Sequence, residues 1–195
     1  MSSFTKELLV LGGPNGAGKS TAARAGLLPQ KLGIVELVNA DDIAQGLSPF
    51  NPESAEFTAG RLMLQRMRSL AAGETSFAIE TTCSGKGHLR LLRRCRDAGW
   101  RITLVFLWLS SPEIAVARVA KRVAAGGHDV VRGTIERRYR TGLRNMRLYY
   151  LPLANVAAIY DNGGDEPILV AERASGSGLD VRDPDRWQAI VEASQ

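Results

Sequence analysis

Residues 13–20 read Gly-Pro-Asn-Gly-Ala-Gly-Lys-Ser, the spacing G-x-x-x-x-G-K-[ST] with which a chain wraps its own amides around a phosphate. Glycines permit the tight turn, and successive amides over 16–20 point inward where a helix begins and its dipole favours anions. Lys19 is placed to reach the β and γ phosphates of ATP. The Ser20 hydroxyl is placed to hold a Mg²⁺ that bridges them, with Thr21 near the α phosphate. The expected nucleotide-binding residues are therefore Gly13, Pro14, Asn15, Gly16, Ala17, Gly18, Lys19, Ser20 and Thr21.

Two carboxylates follow in Val38-Asn39-Ala40-Asp41-Asp42-Ile43, at the carboxyl end of a short apolar run, where ligands of open α/β sheets gather. Asp41 is the candidate general base, accepting the proton of an acceptor hydroxyl and aligning it with the γ phosphate. The alternative is that Asp41 or Asp42 only caps the following helix. The next run, Phe77-Ala78-Ile79-Glu80-Thr81-Thr82, delivers Glu80 and Thr81 as candidates for holding a polar substrate, or else Glu80 pairs structurally with an arginine. The run Val105-Phe106-Leu107-Trp108-Leu109 ends in two serines with no acid before Glu113, which argues against a motor-type ATPase. Asp41 is then the acid expected near Mg²⁺, directly or through water.

Arginine dominates the basic residues, twenty against five lysines. Net charge is +5, but the segment 86–147 carries +11 and the rest of the chain −6. A guanidinium matches phosphate oxygens in a planar fork, so this field beside a phosphate loop points to polyphosphate handling, with a solvated helix surface as the plain alternative. Arg118 and Arg122 lie four apart on one predicted helix; Arg137, Arg140, Arg144 and Arg147 share a face of the next. Joined through Gly126-Gly127, the two helices make a lid, about 118–147, able to close over nucleotide and exclude water. Arg118 and Arg122 are expected on the ATP phosphates, and Arg137 or Arg138 on the γ phosphate or the acceptor. His128 reads as a hinge or capping residue rather than a catalyst.

The elements that must position these residues follow from hydrophobic period. Strand-like runs at 7–11, 34–38, 77–79, 102–109 and 156–160 alternate with helical patterns at 19–27, 52–72, 88–98, 111–124 and 131–148, Asp129 standing where it could cap the last. After Asp161-Asn162-Gly163-Gly164, a turn, come a short strand at 168–171 and a helix near 184–192. That rhythm is α/β with a largely parallel sheet, in one domain spanning 1–195.

Composition narrows the classes further. With 45% hydrophobic and 23% charged residues the chain is an ordinary globular one, and no apolar run approaches the ~20 residues of a membrane-spanning helix. The start lacks a signal-peptide pattern, and two cysteines, Cys83 and Cys95, make no disulfide framework, so a cytoplasmic protein is expected. A nucleic-acid end kinase using the basic segment is a rival, weakened by the missing aromatic stacking platform. A nucleotide-dependent switch without productive transfer is another.

The set GPNGAGKST, VNADDIA, FAIETT, RVAKRVAAGGHDV, IERRYRTGLRN and IYDNGG resembles the zeta toxin family of P-loop kinases, in its short stand-alone form, over about 8–163. The resemblance implies a three-layer P-loop kinase fold, its mainly parallel five-stranded sheet in order 2-3-1-4-5, with a helical lid. It implies ATP- and Mg²⁺-dependent phosphorylation of a sugar hydroxyl, in studied members the 3′-hydroxyl of UDP-N-acetylglucosamine, and a small antitoxin partner. Asp41 matches the family's base, Glu80 with Thr81 its substrate-side acid and neighbour, and Arg122 and Arg138 its phosphate-clamping arginines, with Arg118 and Arg137 close behind. Asn39 stands where the fuller toxins carry an aspartate, and Val131 where proline is expected.

Overall fold

A strand buried on both faces belongs at the centre of a parallel sheet, and β1 (Glu7–Gly12) holds that place with every residue buried. The computed structural model describes residues 6–25, 33–127 and 129–195. β1 pairs in parallel with β3 (Phe77–Thr81) on one side and β4 (Arg101–Trp108) on the other. β2 (Leu37–Asn39) lies outside β3, and β5 (Val156–Asp161) outside β4, also in parallel. The order 2-3-1-4-5 is as expected, but the sheet does not stop at five strands. The turn after Asp161 sends the chain back as β6 (Ile168–Arg173), antiparallel to β5, and β7 (Asp180–Val181) adds antiparallel to β6, giving a mixed sheet of seven.

Helices flank the sheet. Short α1 (Lys19–Ala22) opens after the phosphate loop, and the last two positions of the expected helix, 26 and 27, lie outside the described residues. α2 (Ala40–Leu47) is capped by Asn39, whose side chain accepts from the Asp41 amide, so neither Asp41 nor Asp42 is the cap. A 3-10 turn at Pro52–Ala55 leads into α3 (Glu56–Ala72), and α4 (Leu89–Asp97) follows β3. α5 (Pro112–Ala124) starts with Ser111 as cap and proline in its first turn, a favourable pairing because proline lacks the amide a first turn leaves unpaired. α6 (Arg132–Asn145) has Val131 at its cap position with no side-chain bond, while Asp129 accepts from the Val130 amide instead. The pattern read as helix to 148 passes into a π-helical turn at Met146–Tyr150, then α7 (Leu151–Leu153). α8 (Pro184–Ala193), capped by Asp183, closes the described chain. Among the described residues no helix is long and apolar enough to cross a membrane.

The second helix of the expected lid is anchored in the core. Ile135, Tyr139 and Leu143 of α6 are buried, and Asn145 donates to the carbonyls of Cys83 and Ser84, each at 2.9 Å. Gly142 sits so close to the loop after β3 that a Cβ there would lie 2.3 Å from the Thr82 carbonyl oxygen. Gly142→Ala is therefore expected to destabilise the protein by about 1–3 kcal/mol, read as a lower thermal midpoint.

His88 precedes α4, packed against the Tyr150 hydroxyl, and burial lowers its pKa from 6.5. A depressed folded pKa stabilises above the unfolded value and loses that contribution as pH falls through the folded one. Stability is expected to decline as pH drops below 6.5, and His88→Gln to flatten that slope in denaturant titrations.

Candidate active site

The loop between β1 and α1 is shaped by what surrounds it. Gly13 has φ +147°, and a Cβ there would lie 2.4 Å from the Leu107 carbonyl oxygen at the end of β4. Gly18, φ +84°, leaves room for the Asn162 amide, which would otherwise be 2.9 Å from a Cβ. That amide donates to the Ala17 carbonyl at 2.8 Å, bracing the loop from the end of β5. The Asn15 side-chain oxygen is buried within the loop and has no hydrogen-bond partner.

Lys19 is buried, donates to the Pro14 carbonyl at 2.9 Å and stands 4.0 Å from a Glu80 oxygen. Burial lowers its pKa, and the neighbouring Glu80 and Asp41 carboxylates oppose that. Burial pushes Glu80 up, opposed by the Lys19 ammonium and the Ser20 hydroxyl. The hydroxyl donates to both Glu80 oxygens, at 2.8 and 3.0 Å. β3 lies beside β1, so an acid near its end arrives directly under the loop's serine. Cys83, behind the loop, has its thiol pushed up to about 12 by burial and is no nucleophile.

These groups open on one cleft of about 780 Å³, lined by loop residues, Asn39, Asp41, Asp42, Gln45 and Glu80, with Arg24, Arg118 and Arg122 as its arginines. Among the described residues no group of three His, Cys, Asp or Glu side chains forms a metal cage. The oxygen donors Ser20, Glu80 and Asp41 on one cleft suit Mg²⁺, which is held by few protein oxygens alongside phosphate and water. The turn around Asn15, Gly16 and Gly18, at the start of a helix, suits a phosphate.

The predicted site residues do not all converge. Asn15, Gly16, Gly18, Lys19, Ser20, Thr21, Asp41, Glu80, Arg118 and Arg122 share the cleft, while Gly13, Pro14 and Ala17 shape the loop without lining the cleft. Arg118 spends its guanidinium on the carbonyls of Asn162 and Gly163, at 2.7 and 2.9 Å. Arg138 donates to Glu56 at the start of α3, Arg137 is exposed to solvent, and Thr81 accepts from the Cys83 amide. His128 lies outside the described residues. Sequence reading overlooked Arg24, which pairs with Asp42, and also Gln45 and Asn162. The Arg24 signal was its position four after Ser20 on the same helix face. A second recess of about 320 Å³ shares Gln45 and Gly127 with the first and is lined by Phe50, Asn51, Glu53 and Asp129.

Comparison with known proteins agrees with this frame. An uncharacterized protein of Haemophilus influenzae is 28% identical over 127 residues, covering 65% of this chain and 88% of its own. The structure is similar to the AvrRxo1-ORF1:AvrRxo1-ORF2 complex with sulphate ions, TM-score 0.75 at 16% identity over 99% of this chain and 66% of that one. The crystal form with ATP gives 0.74 at 17%, over 99% and 65%. This chain thus spans just under two thirds of the AvrRxo1 chain. It is also similar to a structure of the PezAT chromosomal toxin-antitoxin system of Streptococcus pneumoniae, TM-score 0.62 at 14% identity, over 99% of this chain and 87% of that one. At these identities the likeness is one of fold, a P-loop sheet flanked by helices. A family model for an AAA domain matches residues 8–141, from β1 through the phosphate loop into α6, and by that match the chain belongs to the AAA_33 family.

Proposed function

We propose that this protein is an ATP- and Mg²⁺-dependent kinase of the zeta toxin type, passing the γ-phosphate to a hydroxyl of a small molecule, with a nucleotide sugar such as UDP-N-acetylglucosamine as the acceptor class. One observation carries the reading: a phosphate loop, an acid bonded to its serine and a second acid on the neighbouring helix open on a single cleft. Loop amides and Lys19 bind the phosphates, and Arg122 offsets charge that builds as transfer proceeds. Mg²⁺, held by Ser20 with Glu80 and Asp41 nearby, supplies charge neutralisation when bound. Asp41 takes the hydroxyl proton while the acceptor oxygen bonds to the γ phosphorus and the bond to the β-phosphate oxygen breaks. The recess at Phe50 and Asn51 shares Gln45 and Gly127 with the cleft and on this reading receives the acceptor. A toxin role brings with it a small antitoxin partner, as in the PezAT system.

The test is transfer from γ-labelled Mg²⁺-ATP into a metabolite extract, with products resolved by mass. A labelled small molecule is the expected result and names the acceptor. Slow hydrolysis with no labelled acceptor would overturn the reading in favour of a nucleotide-dependent switch, and label on oligonucleotide ends would point to a nucleic-acid kinase using the +11 segment.

A further inference from the structure

Asn39 ends β2 and faces Glu80 of β3 as its register partner on the adjacent strand. It is 8% exposed, and both polar atoms of its amide are spent on the candidate catalytic groups. The oxygen accepts from the Asp41 backbone N–H at 2.9 Å, fixing the first turn of α2. The nitrogen donates to Glu80 Oε2 at 3.1 Å. Glu80 in turn accepts from the Ser20 hydroxyl. A single side chain therefore ties the helix that carries Asp41 to the carboxylate that seats the loop's serine.

We propose that Asn39 is the positioning residue of this site, setting the spacing between Asp41 on the acceptor side and the Glu80–Ser20 pair on the phosphate side. The inference rests on the kinase reading of the same cleft. In this chain the amide supplies both bonds at separate atoms, one acceptor towards the helix and one donor towards a carboxylate. Aspartate would cap the helix equally well but would turn a second carboxylate towards Glu80. Serine would also cap, yet its one oxygen cannot occupy both places.

Asn39→Ala and Asn39→Ser separate positioning from folding. Asn39→Ala loses cap and tie together; Asn39→Ser regains the cap alone, so its thermal midpoint should return towards that of the wild type. In both variants ATP affinity measured without Mg²⁺ should stay within about twofold of the wild type, because the loop amides and Lys19 are intact. The gain in ATP affinity on adding Mg²⁺ should shrink at least severalfold in both, and kcat for transfer should fall about ten- to hundredfold at little-changed KM for ATP, as for other residues that orient a metal's ligands. Wild-type Mg²⁺ gain and turnover in Asn39→Ser would overturn the proposal, as would losses that follow thermal stability across the two variants. A wild-type protein that transfers no phosphate overturns the kinase reading instead, while the Mg²⁺-dependent affinity, which needs no acceptor, still decides the role of Asn39.

Discussion

Asp41→Ala is expected to lower phosphoryl transfer about 10²- to 10⁴-fold while leaving ATP affinity within about twofold of the wild type. The two halves of that expectation have different physical sources. Asp41 sits in the first turn of α2 and lines the same cleft as the loop, and its backbone amide is what bonds to the Asn39 cap. Removing the carboxylate leaves cap, loop and Lys19 in place, so nucleotide should still bind. What disappears is the group that accepts the hydroxyl proton and orients the attacking oxygen. Single-turnover transfer alongside equilibrium titration of ATP separates the two. Lost ATP binding with intact transfer chemistry would remove Asp41 from the role of base.

Lys19→Ala is expected to weaken ATP binding about a hundredfold, equivalent to roughly 2.7 kcal/mol, the upper range for a hydrogen bond to a charged group. The ammonium donates to the Pro14 carbonyl at 2.9 Å and stands 4.0 Å from a Glu80 oxygen, which holds it at the phosphate turn. Its removal also exposes the cost of Glu80. That carboxyl is held above its ordinary 4.5 by burial, and Lys19 is the strongest influence pulling it back down. Without the lysine the folded pKa rises further. A group with a raised folded pKa stabilises below its unfolded value and loses that contribution as pH rises through the folded one. Lys19→Ala should therefore lose more stability than the wild type as pH rises above about 4.5, as compared by chemical denaturation at a series of pH values.

The phosphate loop was legible because its residues are contiguous and its flanks are a buried strand and a helix start. The five parallel strands were legible for a related reason: strands buried on both faces are unbroken apolar runs, as β1 and β4 are. β6 and β7 escaped assignment to the sheet because nothing in a short run at its edge says which strand it will join. The pairing of Ser20 with Glu80 and of Asn39 with Glu80 spans 60 and 41 positions and depends on strand register, which no local pattern carries. The arginines show the same limit. Spacing placed Arg118 and Arg122 on one helix face, directed at the ATP phosphates; the fold keeps both on the cleft but turns Arg118 to two carbonyls after β5, and turns Arg138 to the start of α3.

The Asn162 brace has a consequence for where this family's unit can be cut. The matched segment ends at residue 141, inside α6, and contains the whole phosphate loop. Yet the Ala17 carbonyl and the Arg118 guanidinium are both held by residues 162 and 163, more than twenty positions beyond that boundary. A fragment trimmed to the matched stretch would keep every letter of the nucleotide motif and forfeit the hand that steadies it. The phosphate-loop half of this molecule is thus not portable: its loop is braced by the turn that follows the last strand of the parallel set.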